Sequence, residues 1–280
     1  MTTLATVFLI LVLLVSQSKA SPSMDCGGKQ SATPLWQGAT AHTDVATTAE
    51  YVVLLHGLAR SSFSMKGIER YLTRCGYHVI NARYSTARLS VKELSDQMLT
   101  PLLKTQIPAG ARVNFVTHSQ GGILVRQYLS DHELPNLGRV VMLAPPNHGS
   151  ELGDILRKNP LTRATLGPGF LELGTDRNSA PNRLGPIDFD CGVIAGDRSF
   201  NPLFSALLPG PDDGKVTVAS ARMDGMADFL VVHSSHTWLA WRSATMNQVL
   251  SFLKSGRFLR VPEKLGATTS HCRSGSEQLI

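Results

Sequence analysis

Two spacings of apolar residues alternate along this chain. Short β-prone runs occur at residues 51–55 (YVVLL), 77–82 (YHVINA), 113–116, 139–143 (RVVML), 192–195 (GVIA) and 229–232. Each reads as a strand, and the unbroken run at 51–55 predicts a central strand covered on both faces. Between them the spacing lengthens to the helical period over 64–75, over 91–103, in the stretch carrying Ile123, Leu124, Val125, Tyr128 and Leu129, and over 244–254. Gly76 stands where the first helix would stop, and Pro108 and Gly110 follow the second. Strands alternating with helices predict βαβ units and an α/β domain with a doubly wound, mostly parallel sheet. Ligands in such sheets bind beyond the carboxyl ends of the strands, so the segments to inspect are His56-Gly57-Leu58, Ser119-Gln120 and Pro146-Asn147-His148.

The rhythm breaks in three places. Residues 150–190 are punctuated by Pro160, Gly167, Pro168, Gly169, Pro181, Gly185 and Pro186, too long a stretch for a plain connection, and read as an inserted cap or lid. Residues 21–49 are an extended lead-in without apolar periodicity, 50–256 form the domain, and 257–280 read as a polar tail. Residues 4–15 are almost wholly apolar and lead into small and polar residues ending at Ala20. That pattern predicts a signal peptide over 1–20, cleaved after Ala20, and a secreted or secretory-pathway protein. Its roughly twelve apolar residues are too few for a comfortable membrane span.

Composition narrows the partners. The net charge of +6 is scattered, without the basic stripe and interleaved aromatics of a nucleic-acid groove, so no nucleic acid is expected. Contact with lipid surfaces would be transient, and nothing fixes an oligomeric state. Cys26, Cys75, Cys191 and Cys272 are an even set that permits two disulfides in a secreted chain, and pairing Cys26 with Cys272 would tie down both ends. His42, His78, His132 and His271 are scattered, and neither a metal nor another cofactor is expected.

The candidate chemistry centres on residues 111–128 (ARVNFVTHSQGGILVRQY), a strand, a sharp turn with Ser119 at its tip, then a helix. Thr117-His118-Ser119-Gln120-Gly121 differs from the nucleophile elbow G-x-S-x-G only in its leading Thr. Gly121 has a steric reason: strand and helix pass so closely there that a Cβ would collide. A neutral serine hydroxyl needs a base, itself oriented by a carboxylate. Candidates follow in the order Ser, Asp, His, each at or after the end of a predicted strand. For the base, His236 lies deeper in its loop than His233, which reads as a strand-end residue facing solvent. Three aspartates compete for the acid: Asp213, Asp197 and Asp212.

The segments VVLLHGL, THSQGG, PDDGKV and SSHTWL resemble the signatures of the α/β-hydrolase superfamily, most of all its lipase and esterase relatives, including the group similar to GPI inositol-deacylases and triacylglycerol lipases. The resemblance covers about residues 51–253. It implies the α/β-hydrolase type of sheet and a triad of Ser119, Asp213 and His236, Asp213 being the residue that matches the family's D-G-x-V. It also implies an oxyanion hole from the backbone N–H groups of Leu58 and Gln120, supported by His56, Gly57 and Gly121. The activity implied is hydrolysis of carboxylic esters, of acyl lipids above all, through an acyl-enzyme. An acyltransferase with the same triad, or a non-catalytic binding protein on the same fold, would carry the same segments.

Overall fold

The computed structural model describes residues 49–260. The expected signal peptide, residues 21–48 of the expected lead-in, Cys26, Cys272, His42, His271 and most of the expected tail lie outside these residues. Six parallel strands form one sheet in the order β2-β1-β3-β4-β5-β6: β1 Glu50–Leu55, β2 His78–Asn81, β3 Arg112–His118, β4 Leu137–Leu143, β5 Cys191–Gly196 and β6 Asp228–Val232. The chain turns back after β2, so β1 and β3 lie side by side with their crossovers running to opposite sides. The crevice for a ligand belongs at their carboxyl ends.

The apolar runs explain the layering. Successive side chains of a strand point to opposite faces, and from Val52 to Leu55 of β1 both sets are fully buried. Val53 and Leu55 join Phe115 in a core with α2 (Val91–Gln106) and α3 (Gln120–Asp131). Val52 and Leu54 join Val116 in a second core with α1 (Lys66–Arg74) and the closing helix Ser243–Ser255. Burying each such side chain is worth about 1.5–3 kcal/mol, so a strand covered on both faces cannot afford polar alternation. α2 starts at a capping box, where Ser90 accepts from the Glu93 N–H and Glu93 reaches back to Ser90. β3 shifts register against β4 between Val113 and Phe115, and buried Asn114 fills the gap by accepting from the Arg139 N–H at 2.8 Å.

Residues 150–190 fold as four short helices: α4 Glu151–Leu156, α5 Pro160–Leu166, α6 Pro168–Leu171 and α7 Ala180–Arg183. They are pinned to the domain by the Val91 N–H donating to Glu172 Oε2 (2.7 Å) and the Gly169 N–H donating to the Leu89 carbonyl (3.1 Å). Between β5 and β6 come α8 (Pro202–Ser205) and α9 (Val218–Ala221). The polar tail expected from 257 opens with anchored residues: Phe258 is buried against Phe252, because its N–H donates to Asp228 Oδ2 and turns the ring onto the sheet. Cys191 is buried at the start of β5, and burial pushes its thiol pKa up. Among the described residues no helix is long and apolar enough to cross a membrane.

Candidate active site

Ser119 sits at the tip between β3 and α3 with φ 55° and ψ −125°, strained backbone for a residue with a side chain. Two glycines make room for it. A Cβ on Gly121 would stand 2.6 Å from the Leu55 carbonyl oxygen, and one on Gly57 would stand 2.9 Å from Ser119 Cβ. The expected collision at Gly121 is therefore a backbone one, between α3 and the end of β1. Thr117 is accommodated in the leading position as a fully buried residue.

Asp213 arrives from the loop between β5 and β6, where Asp-Asp-Gly forms a side-chain-stabilised turn. Its Oδ1 accepts from the N–H groups of Lys215 (3.0 Å) and Val216 (2.9 Å). Oδ2 is left for His236 Nδ1, at 2.8 Å, with both side chains buried. The His236 N–H also donates to the Asp213 carbonyl (2.9 Å), so backbone and side chain clamp the loop after β6 at two points. With Nδ1–H donated to the carboxylate, the lone pair of His236 is on Nε2. Ser119 and His236 line one cavity of about 120 Å³, together with Gly57 and Leu58.

The other candidates separate cleanly. Asp197 pairs with exposed His233 at 2.9 Å, and Asp212 Oδ1 accepts from Ser205 Oγ and the Gly214 N–H, so neither reaches His236. His118 is buried with Nε2 2.9 Å from the His236 carbonyl, to which it donates. Burial, the neighbouring His236 and the charges of Arg60 and Lys215 hold its pKa well below the usual imidazole value. His56 is stacked on Tyr84 with ring centroids 3.9 Å apart and Nδ1 3.0 Å from the Gly57 carbonyl. Burial lowers its pKa, and it braces the loop carrying Leu58. Gln120 is the first residue of α3, where backbone N–H groups have no partner within the helix.

Three cations bear on the site that no motif of the sequence singles out. Arg60 and Lys215 line the cavity. Arg126 is buried on α3 and donates to Asn147 Oδ1 (3.1 Å), the Pro181 carbonyl (3.0 Å) and the Gly185 carbonyl (2.7 Å), tying α3 to the 150–190 segment. The available signal was a charge inside the otherwise buried run ILVRQY.

The fold is that of the α/β-hydrolases. A mature lipase of Bacillus licheniformis superposes with a TM-score of 0.55 at 18% identity, covering 79% of this chain and 96% of its own. Lipase B of Aspergillus fumigatus superposes with a TM-score of 0.56 at 13% identity, covering 75% of this chain and 54% of its own. In sequence, the chain is similar to a triacylglycerol lipase of Pseudomonas fragi, 33% identical over 120 residues. That match spans 41% of this chain and 40% of the lipase. No family model matches the chain.

Proposed function

We propose that this protein is a serine hydrolase that cleaves carboxylic esters through an acyl-enzyme. The observation that carries the reading is the buried His236–Asp213 hydrogen bond of 2.8 Å at the cavity that Ser119 also lines. In the proposed reaction Ser119 Oγ attacks the ester carbonyl while His236 Nε2 accepts its proton. The N–H groups of Leu58 and Gln120 stabilise the oxyanion. Collapse breaks the bond to the alcohol, which leaves with the proton from His236. Water, deprotonated by the same nitrogen, then cleaves the acyl-enzyme to the free acid and restores Ser119.

Leu152, Leu156, Leu166, Phe170, Leu173 and Phe204 give the cavity an apolar wall suited to an acyl chain. The similarity to a triacylglycerol lipase favours lipid esters within this class. Ile155, Leu161 and Leu203 are exposed on the short helices whose other residues line the cavity, which supports transient contact with a lipid surface. The leader-like residues 1–20 support placement in the secretory pathway. The test is hydrolysis of p-nitrophenyl butyrate by the purified protein. Turnover that disappears in Ser119→Ala supports the reading, and turnover retained in that variant refutes it.

A further inference from the structure

The wall of the cavity is mostly apolar, with two cations, Arg60 and Lys215, and no Asp or Glu among its described lining residues. Lys215 is fixed by its backbone: its N–H donates to Asp213 Oδ1, and its carbonyl accepts from Ser150 Oγ at 3.0 Å. Among the described residues its ammonium makes no hydrogen bond and no ion pair within 4 Å. The carboxylate whose charge it feels is that of Asp213, and both oxygens of Asp213 are already engaged. Arg60 Nη2 donates to Thr237 Oγ1 at 3.0 Å, and the guanidinium is in no ion pair among the described residues.

The two charges sit within range of each other and of the triad. Burial and then the positive charge of Arg60 push the Lys215 ammonium down to about 8. Both cations also disfavour a proton on His118, whose ring lies 4.7 Å from that of His236. Here two like charges line one largely apolar pocket with no carboxylate at contact distance among the described residues, an arrangement whose cost an entering anion would relieve.

We propose that Arg60 and Lys215 bind an anionic group, a carboxylate or a phosphate, carried by the ester itself close to the scissile bond, so that acidic esters are selected over neutral ones. The proposal rests on the ester-hydrolase reading of Ser119 and adds the class of ester. Charge-assisted hydrogen bonds in a partly dry pocket discriminate by about tenfold to a hundredfold.

Two pairs of esters place the anion on either side of the bond. Mono(p-nitrophenyl) glutarate against p-nitrophenyl butyrate tests the acyl side, and 1-butyrylglycerol 3-phosphate against 1-butyrylglycerol tests the alcohol side. The expected result is a kcat/KM ratio favouring the anionic ester by about tenfold or more in one pair, falling to near one in Lys215→Met and Arg60→Met. Lys215→Met keeps both backbone hydrogen bonds and removes an unpaired charge, so its folding is not at risk. Ratios near one in both pairs for the unsubstituted protein overturn the proposal. If no ester is cleaved, the reading of Ser119 fails separately and the site is read from binding. Hexyl phosphate or hexanoate should then raise the melting temperature more than hexanol does, and Lys215→Met should erase the difference. Equal effects of all three ligands overturn the proposal.

Discussion

His236 Nδ1 stands 2.8 Å from Asp213 Oδ2 with both side chains buried, whereas His233 and Asp197 make the same contact at 2.9 Å in solvent. The two pairs use the same two residue types and share the neighbourhood of the β5 and β6 ends. What separates them is environment. A pair exposed to water is screened and holds its partner loosely. A buried pair fixes the imidazole's tautomer and orientation and stabilises the imidazolium as it forms.

That contrast sets the first expectation. Asp213→Asn should lower kcat by about a thousandfold to ten-thousandfold, because an amide can donate its NH2 to Nδ1, which moves the ring proton to Nε2 and leaves no lone pair facing Ser119. Asp197→Asn should stay within about twofold of the unsubstituted protein, as exposed ion pairs contribute little. Steady-state kinetics on p-nitrophenyl butyrate separates the two, and equal losses would count against the assignment of Asp213.

Gly121→Ala tests the elbow. The added methyl would meet the Leu55 and His56 carbonyl oxygens, at 2.6 and 3.0 Å, and those are backbone atoms that cannot swing aside. The expected cost is about 1–3 kcal/mol, as for other overpacked cores, seen as a lower melting temperature. Activity should fall further than stability, since the displaced backbone belongs to the loop carrying Leu58.

Arg126→Met tests the tie between the elbow helix and the 150–190 segment. Burial holds the guanidinium down to about 10, and its loss leaves Asn147 and the carbonyls of Pro181 and Gly185 without their donor. Unsatisfied buried acceptors cost about 1–3 kcal/mol each before relaxation. Limited proteolysis should then open first within residues 160–186, mapped by mass spectrometry. An unchanged cleavage pattern would mean that Arg126 does not hold the segment.

Much of this was legible in the chain. Every predicted strand is present within two residues of its expected ends, because parallel strands buried on both faces leave uninterrupted apolar runs. Ser119 and Gly121 announced themselves through local geometry, which a short motif encodes. Spacing alone left Asp197, Asp212 and Asp213 open and the D-G-x-V resemblance pointed to Asp213; which carboxylate meets His236 is a matter of the fold, since Asp197 turns to His233 and Asp212 to Ser205. Arg60, Arg126 and Lys215 were unreadable as a group: the acceptors that hold Arg126, and the lack among the described residues of a carboxylate at contact distance from Arg60 or Lys215, are properties of packing that no spacing records.

The pH dependence of stability follows from the buried bases. His56 and His118 have lowered pKa values in the folded protein, so below about 6.5, the ordinary imidazole value, the unfolded chain takes up protons that the folded one refuses. Stability is therefore held above about pH 6.5 and lost as pH falls below it. At the alkaline end the ammonium of Lys215, faced by Arg60, Asp213, His118 and His236, releases its proton near 8 in the folded protein and near 10.4 in the unfolded chain. Stability should then rise between about pH 8 and 10, and Lys215→Met should remove that rise while raising the melting temperature at pH 7. Thermal melts across pH 5 to 10 on both proteins give the answer, and identical alkaline slopes would contradict it.

Everything proposed for the site depends on Ser119 being an activated nucleophile served by His236. Labelling with a fluorophosphonate, followed by peptide mass spectrometry, asks this directly, because the reagent phosphonylates serines whose hydroxyl is activated. One modified site is expected, Ser119, with labelling lost in both Ser119→Ala and His236→Ala. A folded protein left unlabelled, or one whose labelling survives in His236→Ala at an unchanged rate, would contradict it.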